Sequence, residues 1–231
     1  MRNLGKAVLT LWMVLAMPAI AQERVVVVEL FTSQGCSSCP PADALLGEIA
    51  SRDDILGLAL HVDYWDYIGW RDEFADPANT SRQKAYARFN SKQSVYTPQM
   101  VVDGRDFIVG HKPMKLADSI QTHRTMPVAA RIDATRRGNM LEVSVSNARR
   151  TSAMVVTVVT YDALRTVRIT RGENAGRTLD YHNVVTSWTP IGDWNGTGTF
   201  RKGLRIATDN KIAIIVQEVG PGPIIAAVKL D

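Results

Sequence analysis

Cys36-Ser37-Ser38-Cys39 is the part of the sequence best placed to do chemistry. Two thiols separated by two residues are in reach of one another, so they can hold a disulfide, exchange it or bind a soft metal. The preceding text, residues 25–30, is an apolar, β-branched run that reads as a strand. Gly35 marks a turn, and Pro40-Pro41 opens a helix, where the missing proline N–H groups cost no intrahelical bond. A thiol at a helix start faces unpaired backbone N–H groups and the positive end of the helix dipole, and both favour thiolate. Thiolate is the nucleophile of disulfide exchange. Cys36 is the expected attacking sulfur and the more exposed one. Cys39, about one turn inward, is the expected resolving thiol.

Other uses of the pair compete with this one. A structural disulfide closing so small a ring stabilises by only about 2 kcal/mol in the chain-entropy model. Covalent haem attachment requires His after the second Cys, and position 40 is Pro. Two thiolates with His61 or His111 suit a soft metal such as Cu(I), although four scattered histidines form no recognised ligand spacing. A carrier of such a metal and a non-catalytic interaction module therefore stay open beside the redox reading. No metal centre and no organic cofactor are called for.

The elements that must position the pair follow from pattern. Residues up to about 126 alternate: strands at 25–30, 55–62 and 100–103, helices at 42–50, 79–92 and 112–124. That order describes an α/β unit. From Pro127 the text changes to eight strand-like stretches, at 128–135, 140–145, 153–161, 166–170, 184–188, 199–207, 212–219 and 224–230. Spacing of this kind suggests a β-sandwich. The expected organisation is one α/β domain over 22–126 and a β-sandwich-like domain over 127–231, with Gly220-Pro221-Gly222-Pro223 turning the last hairpin.

The chain has 231 residues, 45% hydrophobic and 22% charged, within the ordinary range of globular proteins. Residues 1–21 carry Arg2 and Lys6, an apolar run and an Ala-Ile-Ala end, which describes a secretory signal peptide. Its removal leaves 25 basic against 23 acidic residues, so the formal charge falls from +4 to +2. The expectation is an exported protein, periplasmic or secreted, with no membrane span after cleavage and no nucleic-acid partner. Export also allows disulfides to persist.

A second element lies far from the cysteines. Tyr96-Thr97-Pro98-Gln99-Met100-Val101-Val102-Asp103-Gly104 sets a proline just before a short strand. With Cys36-x-x-Cys39, it resembles the thioredoxin superfamily, and the resemblance implies a cis-proline at Pro98 facing the cysteines. It also implies that Thr97 presents backbone polar groups to an extended substrate. The matching segments 29–43, 61–67, 96–104 and 172–179 are similar to a family of secreted bacterial proteins catalogued as domain of unknown function 1223, with a thioredoxin-like fold. The fold class so implied is an α/β thioredoxin-like domain followed by an all-β sandwich-like domain. The family brings no established activity, and Ser37-Ser38 matches neither the Gly-Pro of thioredoxins nor the Pro-His of strong periplasmic oxidants.

Residues 61–70, dense in aromatics and carboxylates, follow the second strand. Trp65, Tyr67 and Trp70 are candidates for a wall against a peptide substrate, or for core packing. His61 or Asp63 is a candidate to handle protons for Cys39. Glu173, Asn174, Arg177, Thr178 and His182 read as a polar loop that caps the cysteines, grips a partner or joins the two halves. The function expected is thiol–disulfide oxidoreduction on protein or peptide thiols and disulfides, served by a separate redox partner.

Overall fold

A computed structural model describes residues 24–91, 94–149 and 151–230. The expected signal peptide lies outside them. Strand β1 (Val26–Thr32) and strand β2 (Ile55–His61) are buried along their whole length and pair in parallel. Alternation explains their unbroken apolar text. Val26, Val28 and Leu30 face one core with Leu45, Leu46, Leu116 and Ile120, while Val27 and Phe31 face another with Tyr86.

Helix α1 (Pro40–Ala50) follows the cysteines, and helix α2 (Pro77–Phe89) starts at Asp76, whose side chain accepts from the Ala78 N–H. Strand β3 (Gln99–Val102) pairs antiparallel with β1 and with strand β4 (Asp106–Val109). Helix α3 (Pro113–Arg124) closes the first half. There follow β5 (Arg131–Arg137), β6 (Met140–Ser146), β7 (Met154–Arg168), β8 (Thr178–Trp194), β9 (Phe200–Arg205), β10 (Lys211–Glu218) and β11 (Ile224–Leu230).

These strands form two sheets. One has eight strands in the order β11-β10-β7-β8-β2-β1-β3-β4, and the other has three in the order β5-β6-β9. The expected α/β thioredoxin-like domain followed by an all-β sandwich is therefore corrected. The fold is a mostly-β, mixed eight-stranded sheet that draws strands from both halves, with a smaller second sheet and three helices. The join is β2 to β8, parallel at Ala59 and Val184, with Asn183 donating to the Gly57 carbonyl at 2.8 Å. Its physical reason is edge protection. An apolar β2 without a neighbour on that side presents an open ladder of N–H and C=O groups, and β8 closes part of it, at Gly57 and Ala59. The three-stranded sheet packs Leu141, Val143 and Val145 onto Val156, Val158, Ile212 and Ile214 of the large sheet.

β7 and β8 also differ from expectation, which splits β7 into 153–161 and 166–170 and gives β8 only 184–188. They form one long antiparallel hairpin whose ladder is kept through two register shifts, between Val156 and Thr157 and between Thr160 and Tyr161. Its far end reaches back over the cysteines. No helix among the described residues is long and apolar enough to cross a membrane.

Candidate functional site

β1 stops at Thr32 and the chain turns through Ser33-Gln34-Gly35. The Cys36 N–H donates to the Ser33 carbonyl at 3.1 Å, and the Gly35 N–H donates to Ser33 Oγ at 3.1 Å. Cys39 is the N-cap residue of α1, with Pro40 and Pro41 in the first turn as expected. Its carbonyl accepts from Ala42 and Asp43, and its N–H donates to the Cys36 carbonyl. Cys36 and Cys39 form a disulfide, with Cα atoms 5.4 Å apart. Cys36 is 1% and Cys39 0% exposed, so the expected difference in exposure is absent in this oxidised state. Ser37 and Ser38 are the exposed part of the motif, and Ser38 Oγ lies 3.4 Å from Cys36 Sγ.

The turn is boxed in. A Cβ on Gly35 would lie 3.2 Å from Trp65 Cβ and 3.3 Å from the Trp65 carbonyl, so a larger residue here requires Trp65 to give way slightly. Trp65 Nε1 donates to Thr97 Oγ1 at 2.7 Å, and the Thr97–Pro98 peptide bond is cis. Trp65 thus links the cysteine turn to the Thr97–Pro98 segment. Trp70 Nε1 donates to Gln34 Oε1 at 2.7 Å, while Tyr67 stands in solvent, 81% exposed.

Behind the disulfide lies a cluster that sequence reasoning found only in part. His61, at the end of β2, is buried with Nδ1 2.7 Å from Asp72 Oδ2. The same Asp72 oxygen accepts from the Gln34 N–H at 2.8 Å, so one carboxylate holds both the histidine and the cysteine turn. Phe74 and Tyr181 pack edge-on against the His61 ring. Asp63, by contrast, accepts from Thr80 Oγ1 at 2.6 Å at the start of α2.

Asp43, like Asp72, is absent from the sequence-based candidates. It is 4% exposed, one helical turn past Cys39, and α1 side chains lean towards the helix N-terminus. Burial pushes its carboxyl up to about 7, and the nearby His61 and Thr32 offset this in part. Among the described residues, both Asp43 oxygens, Thr32 Oγ1, His61 Nε2, Gln34 Nε2 and the Tyr181 hydroxyl have no hydrogen-bond partner. Burial also raises the Tyr181 hydroxyl, with Asp43 and Asp72 adding to the effect. The signal for Asp43 is in the sequence: it stands beside Ala42, Leu45 and Leu46 on the buried face of α1. Asp72 carries no such local signal.

Asn174, between β7 and β8, donates through Nδ2 to the carbonyls of Gln34 at 2.9 Å and Cys36 at 3.0 Å. Of its neighbours in the expected polar loop, Thr178 and His182 belong to β8 instead. No group of three or more His, Cys, Asp or Glu side chains suited to a metal ion occurs among the described residues.

The family model described as "Protein of unknown function (DUF1223)" matches residues 27–217. The chain belongs to that family. The X-ray crystal structure of a protein from Agrobacterium tumefaciens is 31% identical, with a TM-score of 0.79, and the match covers 91% of this chain and 96% of that one. A hypothetical protein from Pyrococcus horikoshii is 14% identical over 45% of this chain and 88% of its own. Its TM-score of 0.22 is too low to bear on the fold. None of the curated proteins matches the sequence. The family carries no assigned activity.

Proposed function

We propose that this protein is an exported thiol–disulfide oxidoreductase. The observation that carries the reading is the Cys36–Cys39 disulfide at the start of α1, set against buried Asp43 and His61. In the reducing direction, the Cys36 thiolate attacks one sulfur of a substrate disulfide, and the other substrate sulfur leaves as thiolate. Cys39 then attacks the Cys36 sulfur, which closes the protein disulfide and releases the second substrate thiolate. Two electrons pass from protein to substrate, and the reverse sequence oxidises a dithiol. Asp43 accepts the Cys39 proton, because a carboxyl near 7 matches proton transfer at neutral pH. His61, held by Asp72, faces the same carboxyl and stabilises its charge. Thr97 and Pro98 position an extended peptide by strand-like pairing, with Trp65 and Tyr67 beside it.

The test is catalysis by the chain beginning at Gln22. Insulin reduction with a dithiol donor and oxidation of a reduced protein are each assayed against Cys36→Ser. Turnover in either direction that Cys36→Ser abolishes supports the reading. Equal rates for the two proteins in both assays remove it.

A further inference from the structure

The tip of the β7–β8 hairpin is built as a tight, self-bonded loop. The Gly176 N–H donates to the Ile169 carbonyl at 2.8 Å, the Ala175 N–H to Gly172, and the Arg177 N–H to Asn174. Arg177 Nη1 donates to Asn174 Oδ1 at 3.1 Å, which leaves the Asn174 amide nitrogen facing the cysteine turn. Gly172, at a φ of +73°, lets the tip seat on Trp70, where a Cβ would lie 3.1 Å from Trp70 Cβ. Asn174 itself is 2% exposed, and its two donors go to the peptide groups that flank Gly35 and Cys36.

In the oxidised protein the disulfide ring already restrains Cys36. Once it is reduced, that restraint is gone, and the backbone bonds of the turn remain. The Cys36 carbonyl takes one bond from Cys39 and one from Asn174, and the Gln34 carbonyl takes one from Asn174. Without Asn174, closing the disulfide leaves the Cys36 carbonyl with the Cys39 N–H alone and the buried Gln34 carbonyl without its Asn174 donor, whereas the open dithiol turn can relax. We infer that Asn174 is a positioning residue for this centre: it holds the Cys36 backbone so that the two thiols of the reduced protein stay within reach of each other. This rests on the redox reading of the pair. It makes a residue 138 positions away a determinant of how strongly the protein favours its disulfide.

The experiment is equilibration with glutathione, in which protein disulfide and two glutathione thiols exchange with protein dithiol and one glutathione disulfide. In Asn174→Ala the equilibrium moves about tenfold towards dithiol, a potential about 30 mV less negative. Asn174→Asp, which keeps the size but has no donor, moves the same way. Glu173→Ala, on the exposed part of the same tip, stays within about twofold of the parent. Parent-like equilibria in both Asn174 variants, or an equal shift in Glu173→Ala, overturn the inference. Where the Asn174 variants do not fold, side-chain amide exchange in the reduced parent decides. Slow Asn174 Nδ2 exchange supports the clamp, and exchange at the rate of an exposed amide overturns it. Failure of the oxidoreductase reading registers separately, as absent insulin turnover by the parent chain.

Discussion

Replacing Asp43 with Asn keeps the size of the side chain and removes its charge. The carboxyl has an ordinary value of 3.8 and sits at about 7 in the folded protein, chiefly because burial penalises the charged form. The groups around it are Thr32 on β1, His61 on β2, Asp72 after β2 and Tyr181 on β8. For an acid whose folded pKa is raised, the unfolded chain releases its proton first as pH rises. Between about pH 4 and 7 the folded state therefore binds more protons than the unfolded state, and stability falls with pH. Above pH 7 both states have lost the proton and the dependence flattens. The shift corresponds to about 4 kcal/mol at about 1.36 kcal/mol per pKa unit, as an order of magnitude. The amide introduced by Asp43→Asn does not titrate, so the variant escapes this loss. Urea unfolding of the oxidised parent and Asp43→Asn from pH 4 to 8 measures it. The stability difference between the two grows in favour of the variant by about 4 kcal/mol, a midpoint shift on the order of 2 M for a typical slope. A difference that stays constant across that range refutes the buried, proton-holding role of Asp43.

Other consequences follow from single contacts. Arg82 donates to Glu29 Oε2 at 2.6 Å and also reaches Tyr86 and Gln217, tying α2 to β1 and β10. Arg82→Met strands the Glu29 charge in the core and costs about 3–5 kcal/mol by urea unfolding, while adding Glu29→Leu recovers most of it. Trp65→Phe loses the bond to Thr97 and lowers stability by about 1 kcal/mol. Tyr67→Ala leaves stability within about 0.5 kcal/mol, because the ring is exposed. If Tyr67 contacts substrate, its removal raises KM for a peptide disulfide with kcat unchanged. Unchanged KM in Tyr67→Ala takes that residue out of the substrate wall.

The parts of the fold that were legible are those whose text is set by local burial. β1 and β2 are apolar at every position because both of their faces are covered, and the double proline after Cys39 marks the start of α1. β4 was missed although Asp103-Gly104, both at positive φ, signals a hairpin between Val102 and Asp106. The sequence pattern splits β7 in two because residues 162–166 are largely solvated, so the apolar pattern fades while the ladder to β8 continues. The continuity of the large sheet was not legible at all. It rests on one parallel contact between Ala59 and Val184, and no local pattern encodes such a long-range pairing. The site divides in the same way. Cys36 and Cys39 announce themselves by spacing, Pro98 enters through a family resemblance and Asn174 through its polar loop, whereas Asp72 joins the cluster only through tertiary packing.

The central claim, that Cys36 exchanges disulfides and Cys39 resolves them, is tested most directly by trapping. Cys39→Ser is incubated with a disulfide-bonded peptide, quenched with acid and mapped by mass spectrometry. The account predicts a mixed disulfide on Cys36 that accumulates in Cys39→Ser and is resolved in the parent once its disulfide has been reduced. A Cys39→Ser protein that forms no peptide adduct at Cys36, while its thiol still reacts with a small alkylating reagent, contradicts it.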